Sequence, residues 1–557
     1  MINIKSLLTL VLFAFWLSIT SAQNDPQKNN GGTFTGSLDA YGNFFQRDTT
    51  IDAANTPQYD RQLFSADTWL NLQYSNWGFD FGMRFDLANN SNLLNPTGSF
   101  TAQGIGRWFI HKKVNKLDIT VGYIYDQIGS GIIYRTYEER ALAIDNALFG
   151  ARLMYDITPD WRVKVFTGKQ KKQLSTYDAI IKGGSFEGFY ALKNGNISFA
   201  PGIGVTSRTL DDATMETITS EISSYTPQDS IGAQYNTYAF TAFNTMTAGD
   251  FSWYVEGAYK TKDVFFNPLA EKLNWTGETS LGKLENKTGS VIYSSLSYAH
   301  KGLGVTLEAK RTENFRYRTD PFVQLAQGAI NFLPPMSRQN TYRLTARYTP
   351  ATQEIGEQAV QADVRYKFNK HWSALVNFSN ITNLNNLQLY RELFTEVTYK
   401  KGTKWQLLGG LQFQNYNQEI YLNKPKKPII NTVIPYAEFL YKFSPKKSIR
   451  VEAQYLQTEQ EFGSWAFGLV EFSVAPHWIF IVSDMYNVPT TDEYSKVGDK
   501  DKLDSKHFPT LGVVYINKTN RFSLNYVKQV QGIVCSGGIC RVEPAFSGVK
   551  LTVNSIF

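Results

Sequence analysis

The chain ends "FSGVKLTVNSIF", Phe546 to Phe557. Val549, Leu551, Val553 and Phe557 fall on one face of this stretch, with Ser555 the exception, and Lys550, Thr552 and Asn554 fall on the other. Period two marks a strand with one face against something apolar. The last residues of a soluble domain usually fray unless a sheet ties them down. No residue follows the alternation, so the sequence predicts a strand paired to its end.

The other end bears on the same question. "MINIKSLLTLVLFAFWLSITSAQ" carries Lys5, an apolar run from Leu7 to about Ile19, and then Thr20-Ser21-Ala22. That order is expected of a secretory signal peptide, residues 1–22. The apolar run is too short to span a bilayer comfortably, and beyond it no run of about 18 apolar residues occurs. The expected organisation is a leader over 1–22, a short periplasmic segment over 23–32, and one barrel domain over 33–557.

Aromatic residues make up 15% of the chain, with 32 Tyr and 38 Phe, while the mean hydropathy is −0.30. A chain of this length could hold several soluble domains. Domain-sized shifts of pattern would then appear, and none does; strand-sized segments repeat instead. The net charge of +7 is mild for this length and does not argue for nucleic acid.

The segment "TWLNLQYSNWGFDFGMRFDL" sets the pattern. Leu70, Leu72 and Tyr74 alternate with Asn71, Gln73 and Ser75; Phe79, Phe81, Met83 and Phe85 alternate with Asp80, Gly82, Arg84 and Asp86. Leu117–Tyr123, Phe149–Asp156, Trp161–Val165, Val360–Lys367 and Ile449–Tyr455 repeat it with a charged second face. Soluble sandwiches alternate too. Here, however, tight connections such as "DITPDW" (156–161), "KFNKHW" (367–372), "KFSPKKS" (442–448) and "VAPHW" (474–478) are separated by long polar loops. Trp and Tyr cluster beside the tight turns, where half-apolar rings suit a membrane interface.

Hydrocarbon cannot satisfy a free peptide N–H, so strands cross it only in a closed ring. The expected fold is therefore an all-β, transmembrane, antiparallel up-and-down barrel of about 24 strands, within roughly 20 to 26. Thr33–Phe45 is the candidate first strand. With the C-terminus periplasmic, every tight turn falls on the periplasmic side, and loops 487–508 and 531–545 fall outside. Asn314–Gln358 is expected as one large outer loop. Alternation of Arg343, Thr345 and Arg347 with Leu344, Ala346 and Tyr348 allows a further hairpin within it.

The charged faces give the candidate site. Asp80, Arg84, Asp86, Asp118, Arg152, Arg162, Lys164, Glu308, Lys310, Asp363, Arg365, Glu438, Lys442, Arg450 and Glu452 are expected to line the lumen. At the bilayer midplane, Arg or Lys facing lipid costs about 2–4 kcal/mol. Such charges suit either a wet channel or an ion-pair network stiffening an occluded barrel. Cys535 and Cys540 are expected to form a disulfide in the last outer loop. No metal or cofactor is expected. The five histidines show no Gly-x-Ser-x-Gly elbow or His-Glu-x-x-His motif beside them, and an enzyme is not expected. The loop "TTDEYSKVGDKDKLDSKH" (490–507) reads as solvated; lipopolysaccharide or divalent cations are alternatives.

Two stretches, "FLPPMSRQNTYRLTARYTPATQEIGEQ" (332–358) and "VCSGGICRVEPAFSGVKLTVNSIF" (534–557), resemble a family of uncharacterised outer-membrane β-barrels from Bacteroidota. The resemblance implies compartment and barrel fold, and no activity. Phe557 likewise resembles the C-terminal signal that barrel assembly machinery recognises.

The function expected is a porin-like channel for small hydrophilic solutes in the outer membrane of a Gram-negative bacterium. The alternative is a non-transporting subunit or scaffold of a larger secretion or assembly complex, with loop 314–358 filling the lumen. The partners expected are the lipid bilayer, lipopolysaccharide, the assembly machinery and other outer-membrane subunits, with no nucleic acid.

Overall fold

Strands answer the alternation along the whole chain. The computed structural model describes residues 31–192, 195–323, 327–488 and 506–557. The expected leader, 1–22, lies outside the described residues, as do most of 23–32 and of loop 490–507.

The fold is a closed barrel of 24 antiparallel strands. Each strand bonds to its neighbours in sequence. The first, Thr33–Phe45, pairs with Phe64–Asn76 on one side and with the last, Phe546–Ile556, on the other. That last pairing runs from Ser37 opposite Ile556 to Phe45 opposite Gly548. Closure leaves no row of unpaired peptide groups facing outward.

The two faces differ as the alternation requires. On strand Phe79–Ser91, Met83 and Phe85 are exposed, while Arg84 between them is buried. Exposed Val121, Leu153, Val165, Phe240, Leu307, Val360, Leu393, Phe413, Val482 and Leu524 continue this outer apolar band around the barrel. Fully burying one such side chain is worth about 1.5–3 kcal/mol, so a band of them is stable against hydrocarbon rather than water.

Tight turns gather at one end of the barrel. Trp77-Gly78 and Lys301-Gly302 both take positive φ at their two central positions, the geometry that matches the twist of a two-residue hairpin. Trp161, Trp372, Trp405 and Trp478 each open the strand after a turn at this end. Trp372 and Trp405 both pack on Tyr399, with ring centroids 4.6 and 5.1 Å apart. The long connections meet at the opposite end.

Strands Phe251–Leu273 and Thr279–His300 are the longest, at 23 and 22 residues. They pair with their outer neighbours only up to Lys260 and from Ser290, so the hairpin between projects beyond the rim. Helix Asp212–Ser223 packs on the projection through Met215 and Ile218, which join Val264 and Leu284 in a small separate core.

The main core lies inside the barrel. A sheet of this many strands encloses more space than its own side chains fill. Ile128, Ile132 and Tyr134 from segment 125–147 fill part of that space. Phe315, Tyr317, Ile330, Leu333, Met336, Leu344 and Tyr348 from segment 314–355 fill more. They meet Tyr390, Leu456, Trp465 and Phe546 from the strands. The expected outer loop 314–358 therefore turns inward, and strand resumes at Gly356. The hairpin allowed within it does not form. Residues 342–347 make turns instead, with N–H of Ala346 donating to Tyr342 O at 3.0 Å and N–H of Arg347 to Leu344 O at 3.2 Å. A hairpin gains most by joining a free edge, and within the closed ring, below the projecting hairpin, there is none.

Candidate functional site

The inner wall changes character along its length. Near the tight turns its side chains are charged and half-exposed: Arg365 is 66% exposed and Arg162 50%. Toward the long loops the same strands carry buried polar groups: Glu357 is 1% exposed and Glu392 fully buried. The first zone is a hydrated vestibule. The second is a socket that grips the two inner segments.

In the vestibule, opposite charges pair both along single strands and across neighbouring ones. His111 bridges Asp80 and Asp118, with Nδ1 3.0 Å from Asp80 Oδ2 and Nε2 2.9 Å from Asp118 Oδ2. Arg162 reaches Asp156 at 2.6 Å, and Arg365 reaches Asp363 at 2.8 Å. Arg450 contacts Glu452 at 2.9 Å, Glu438 at 3.1 Å and Glu471 at 3.4 Å. The pairs of exposed Arg162 and Arg365 contribute little individually, about 0–1 kcal/mol, and are screened by salt, whereas Glu452 beside Arg450 is buried. Lys442 forms no ion pair among the described residues.

Deeper, the candidate charges turn to the inner segments. Arg84 spans Asp86 (2.6 Å), Glu138 (2.9 Å) and Asp145 (2.6 Å). Glu138 and Asp145 lie on segment 125–147, and Lys171 also pairs with Asp145. Burial pushes the Asp145 carboxyl up, but Lys171 and Arg84 more than offset this and hold it below the usual range. Lys164 donates to Asp126 Oδ1 at 2.9 Å and to Gln127 O at 2.6 Å, and Arg152 lies 3.4 Å from Asp126. Lys310 pairs with Glu357 at 2.7 Å and donates to Pro334 O. Glu308 instead accepts from Tyr293 on the neighbouring strand.

The described parts of segment 314–355 are held at several points. Wall cations Arg208 and Lys260 donate to Arg318 O (2.8 Å) and Arg316 O (2.6 Å), and both pair with buried Asp263. Asn340 donates to Glu392 at 2.9 Å, N–H of Leu344 to Gln454 Oε1 at 2.7 Å, and Tyr348 to Glu461 at 2.6 Å. Segment 125–147 has its own anchor in Glu256. That carboxylate accepts from Ser130 N (3.0 Å), Ser130 Oγ (2.5 Å), Thr241 (2.8 Å) and Tyr254 (2.6 Å). Bonds to an ionised acceptor are the stronger kind.

Cys535 and Cys540 form the expected disulfide. It closes a hairpin, Gly532–Ser536 with Ile539–Glu543, that rests on the inner segment. N–H of Thr352 donates to Gly538 O at 2.8 Å, and N–H of Gly537 donates to Gln339 Oε1 at 3.3 Å. At the opposite end of the barrel, Phe557 pairs with Gly36 through both backbone bonds. Among the described residues, no cluster of three metal-ligating side chains occurs.

Sequence reading missed several socket residues. Glu256 and Lys260 alternate with Val255 and Tyr259, so the signal for an inward position was present. Asp126, Glu138 and Asp145 sit outside the spanning strands, where no periodicity marks a direction.

A closed barrel with an apolar outside, a wet charged vestibule and loops packed into the far half is a β-barrel of the outer-membrane class. The chain belongs to DUF6029, described as a family of unknown function, and the match covers residues 1–557. No curated protein matches it. Among solved structures it is similar to a chain of the E. coli P pilus tip assembly intermediate PapC-PapD-PapK-PapG, at 9% identity and a TM-score of 0.46. That alignment covers 96% of this chain but only 62% of the other. It is also similar to the outer membrane transporter YddB from Escherichia coli, at 7% identity and a TM-score of 0.41, over 94% of this chain and 81% of that one. The outer membrane protein OpdK from Pseudomonas aeruginosa aligns at 10% identity and a TM-score of 0.35, over 76% and 97%.

Proposed function

We propose that this protein is a gated outer-membrane channel for small hydrophilic solutes, closed by segment 314–355. The carrying observation is the change of the inner wall from hydrated charge near the tight turns to a loop-filled socket at the far end. A vestibule lined with both signs holds water and polar solutes. The segment is held by hydrogen bonds and ion pairs beside an apolar core, and water can replace the polar contacts when the segment withdraws. In this reading the tight turns and the C-terminus are periplasmic. The long loops face outward among lipopolysaccharide, in a Bacteroidota cell, and Phe557 is the signal read by the assembly machinery. The wall charges bind and steer rather than catalyse.

Glu313 and Gly356 are register partners on adjacent strands, so a short Gly/Ser linker can replace residues between them without opening the sheet. In planar bilayers the native protein is expected to stay mostly closed. The shortened variant is expected to give steady ohmic openings. Silence of a correctly folded shortened variant rejects the channel.

The apolar part of the inner core favours a second reading, a permanently filled barrel acting as a scaffold subunit. Co-purification of a stoichiometric partner from native membranes, with no conductance, supports it.

A further inference from the structure

A cavity of about 420 Å³ lies between the inner segment and the last outer loop. Its lining includes Arg343, Arg347 and Tyr348 from the segment, Lys424 and Glu461 from two other long-end connections, and Glu543 from the disulfide hairpin. The charged groups are not equally engaged. Glu461 is taken: it accepts from Tyr348 and lies 3.7 Å from Arg347 and 3.6 Å from Lys424. Arg347 also stacks over Trp465, 4.4 Å from the ring centroid.

Arg343 is different. It lines the cavity, and its side chain is exposed to solvent there. It forms no hydrogen bond or ion pair with any described residue. Burial and then the like charge of Arg347 disfavour its cationic form, and Glu543 is the carboxylate that acts against them. Lys550 on the last strand falls within electrostatic reach of Arg343, Arg541 and Glu543. Arg541 also feels Asp67, and it spends one donor on Leu93 O at 3.0 Å. Around Glu543, then, stand three cations, and the guanidinium facing the cavity has no acceptor.

A guanidinium offers five N–H donors in a planar fork that fits two oxygens of one acceptor, and it stays charged in any protein. Open to solvent and without a protein acceptor, this fork is free to make charge-assisted hydrogen bonds to an oxyanion, the stronger kind. We propose that this cavity is a binding site for a small oxyanion, a carboxylate or phosphate group, with Arg343 as its anchor and Lys550 adding long-range attraction. Because Arg343 sits on the segment that closes the barrel, an anion there engages the gate itself. The site deepens the gated-channel reading by naming the solute class as anionic, and that part rests on the reading.

The test is calorimetric titration of the full-length protein in detergent with inorganic phosphate and, separately, succinate, at constant ionic strength held by chloride. Saturable binding of at least one of them is expected. R343Q is expected to weaken it at least tenfold and R343K to recover part of the loss, with both variants showing the native heat-modifiable band on gels. Phosphate alone binding points to a phosphate-bearing solute, and succinate alone to a carboxylate. Absence of saturable binding of either anion to the native protein, or equal binding by folded R343Q, overturns the site. Saturable anion binding by the native protein, with no conductance from the loop-shortened variant, which lacks Arg343, keeps the site and rejects the channel. Conductance without binding does the reverse.

Discussion

Gly36 and Phe557 exchange both backbone hydrogen bonds, Gly36 N–H to Phe557 O at 2.7 Å and Phe557 N–H to Gly36 O at 2.9 Å. The final residue is therefore part of the seam that closes the barrel. The Phe557 ring lies over Gly36, where an added Cβ would stand 2.5 Å from Cε2. Gly36→Val is expected to lower the folded fraction, as is deletion of Phe557. Heat-modifiable migration on gels measures this; migration like the native protein in both variants refutes a structural role for the seam.

Asp145 couples segment 125–147 to the wall through Arg84 and Lys171. Removing one partner of a buried pair typically costs about 3–5 kcal/mol. Asp145→Asn should fall toward the lower end, about 3 kcal/mol, because Arg84 keeps Asp86 and Glu138. Trypsin cleavage at Arg135 or Arg140, absent in the native protein, is the readout.

The same carboxyl predicts a pH window. Its folded pKa is depressed, so its contribution is fully present above the ordinary Asp value of about 3.9. It is lost as pH falls through the lower folded value. Tryptic or peptic protection of segment 125–147, assayed after brief exposure, should stay level down to about pH 4 and drop below it. A loss centred near pH 6 contradicts the assignment.

Lys310 and Glu357 form a buried pair, with Lys310 also holding Pro334 O of the inner segment. Glu357→Gln should destabilise by about 3 kcal/mol, since it strands a buried ammonium. The double change Lys310→Met with Glu357→Leu should recover much of that loss. Urea midpoints for the two proteins decide it: a double variant weaker than the single one means that Pro334 O depends on the lysine.

Cys535 and Cys540 close a short loop, so chain entropy accounts for about 2 kcal/mol at most. Cys535→Ser with Cys540→Ser should leave the barrel's melting nearly unchanged. It should loosen the hairpin that bears on Gln339 and Thr352, seen as faster amide exchange in 339–352.

The barrel was legible because its physics is local. Each strand must turn apolar residues out and polar ones in, and the hydrophobic pattern from Thr33–Phe45 to Phe546–Ile556 records that requirement directly. The plug was not legible in the same way. Leu344, Ala346 and Tyr348 alternate with polar neighbours as a strand would, yet two of them meet the core through a turn. What decides the outcome is space inside the closed sheet, a property of all 24 strands together. Lys310 and Glu357 illustrate the boundary: pattern placed Lys310 inward, but only the fold reveals that it holds Pro334.

The inner segment's partners carry a consequence for biogenesis. Leu344 waits for Gln454, 110 residues later in the chain, and Thr352 waits for Gly538 near its end. Until those strands are in place, Phe315, Leu333 and Tyr348 have nowhere to hide. The segment thus works as a keystone, set after the arch is raised, and a nascent chain stalled before its last strands is a sticky intermediate that needs a chaperone's shelter.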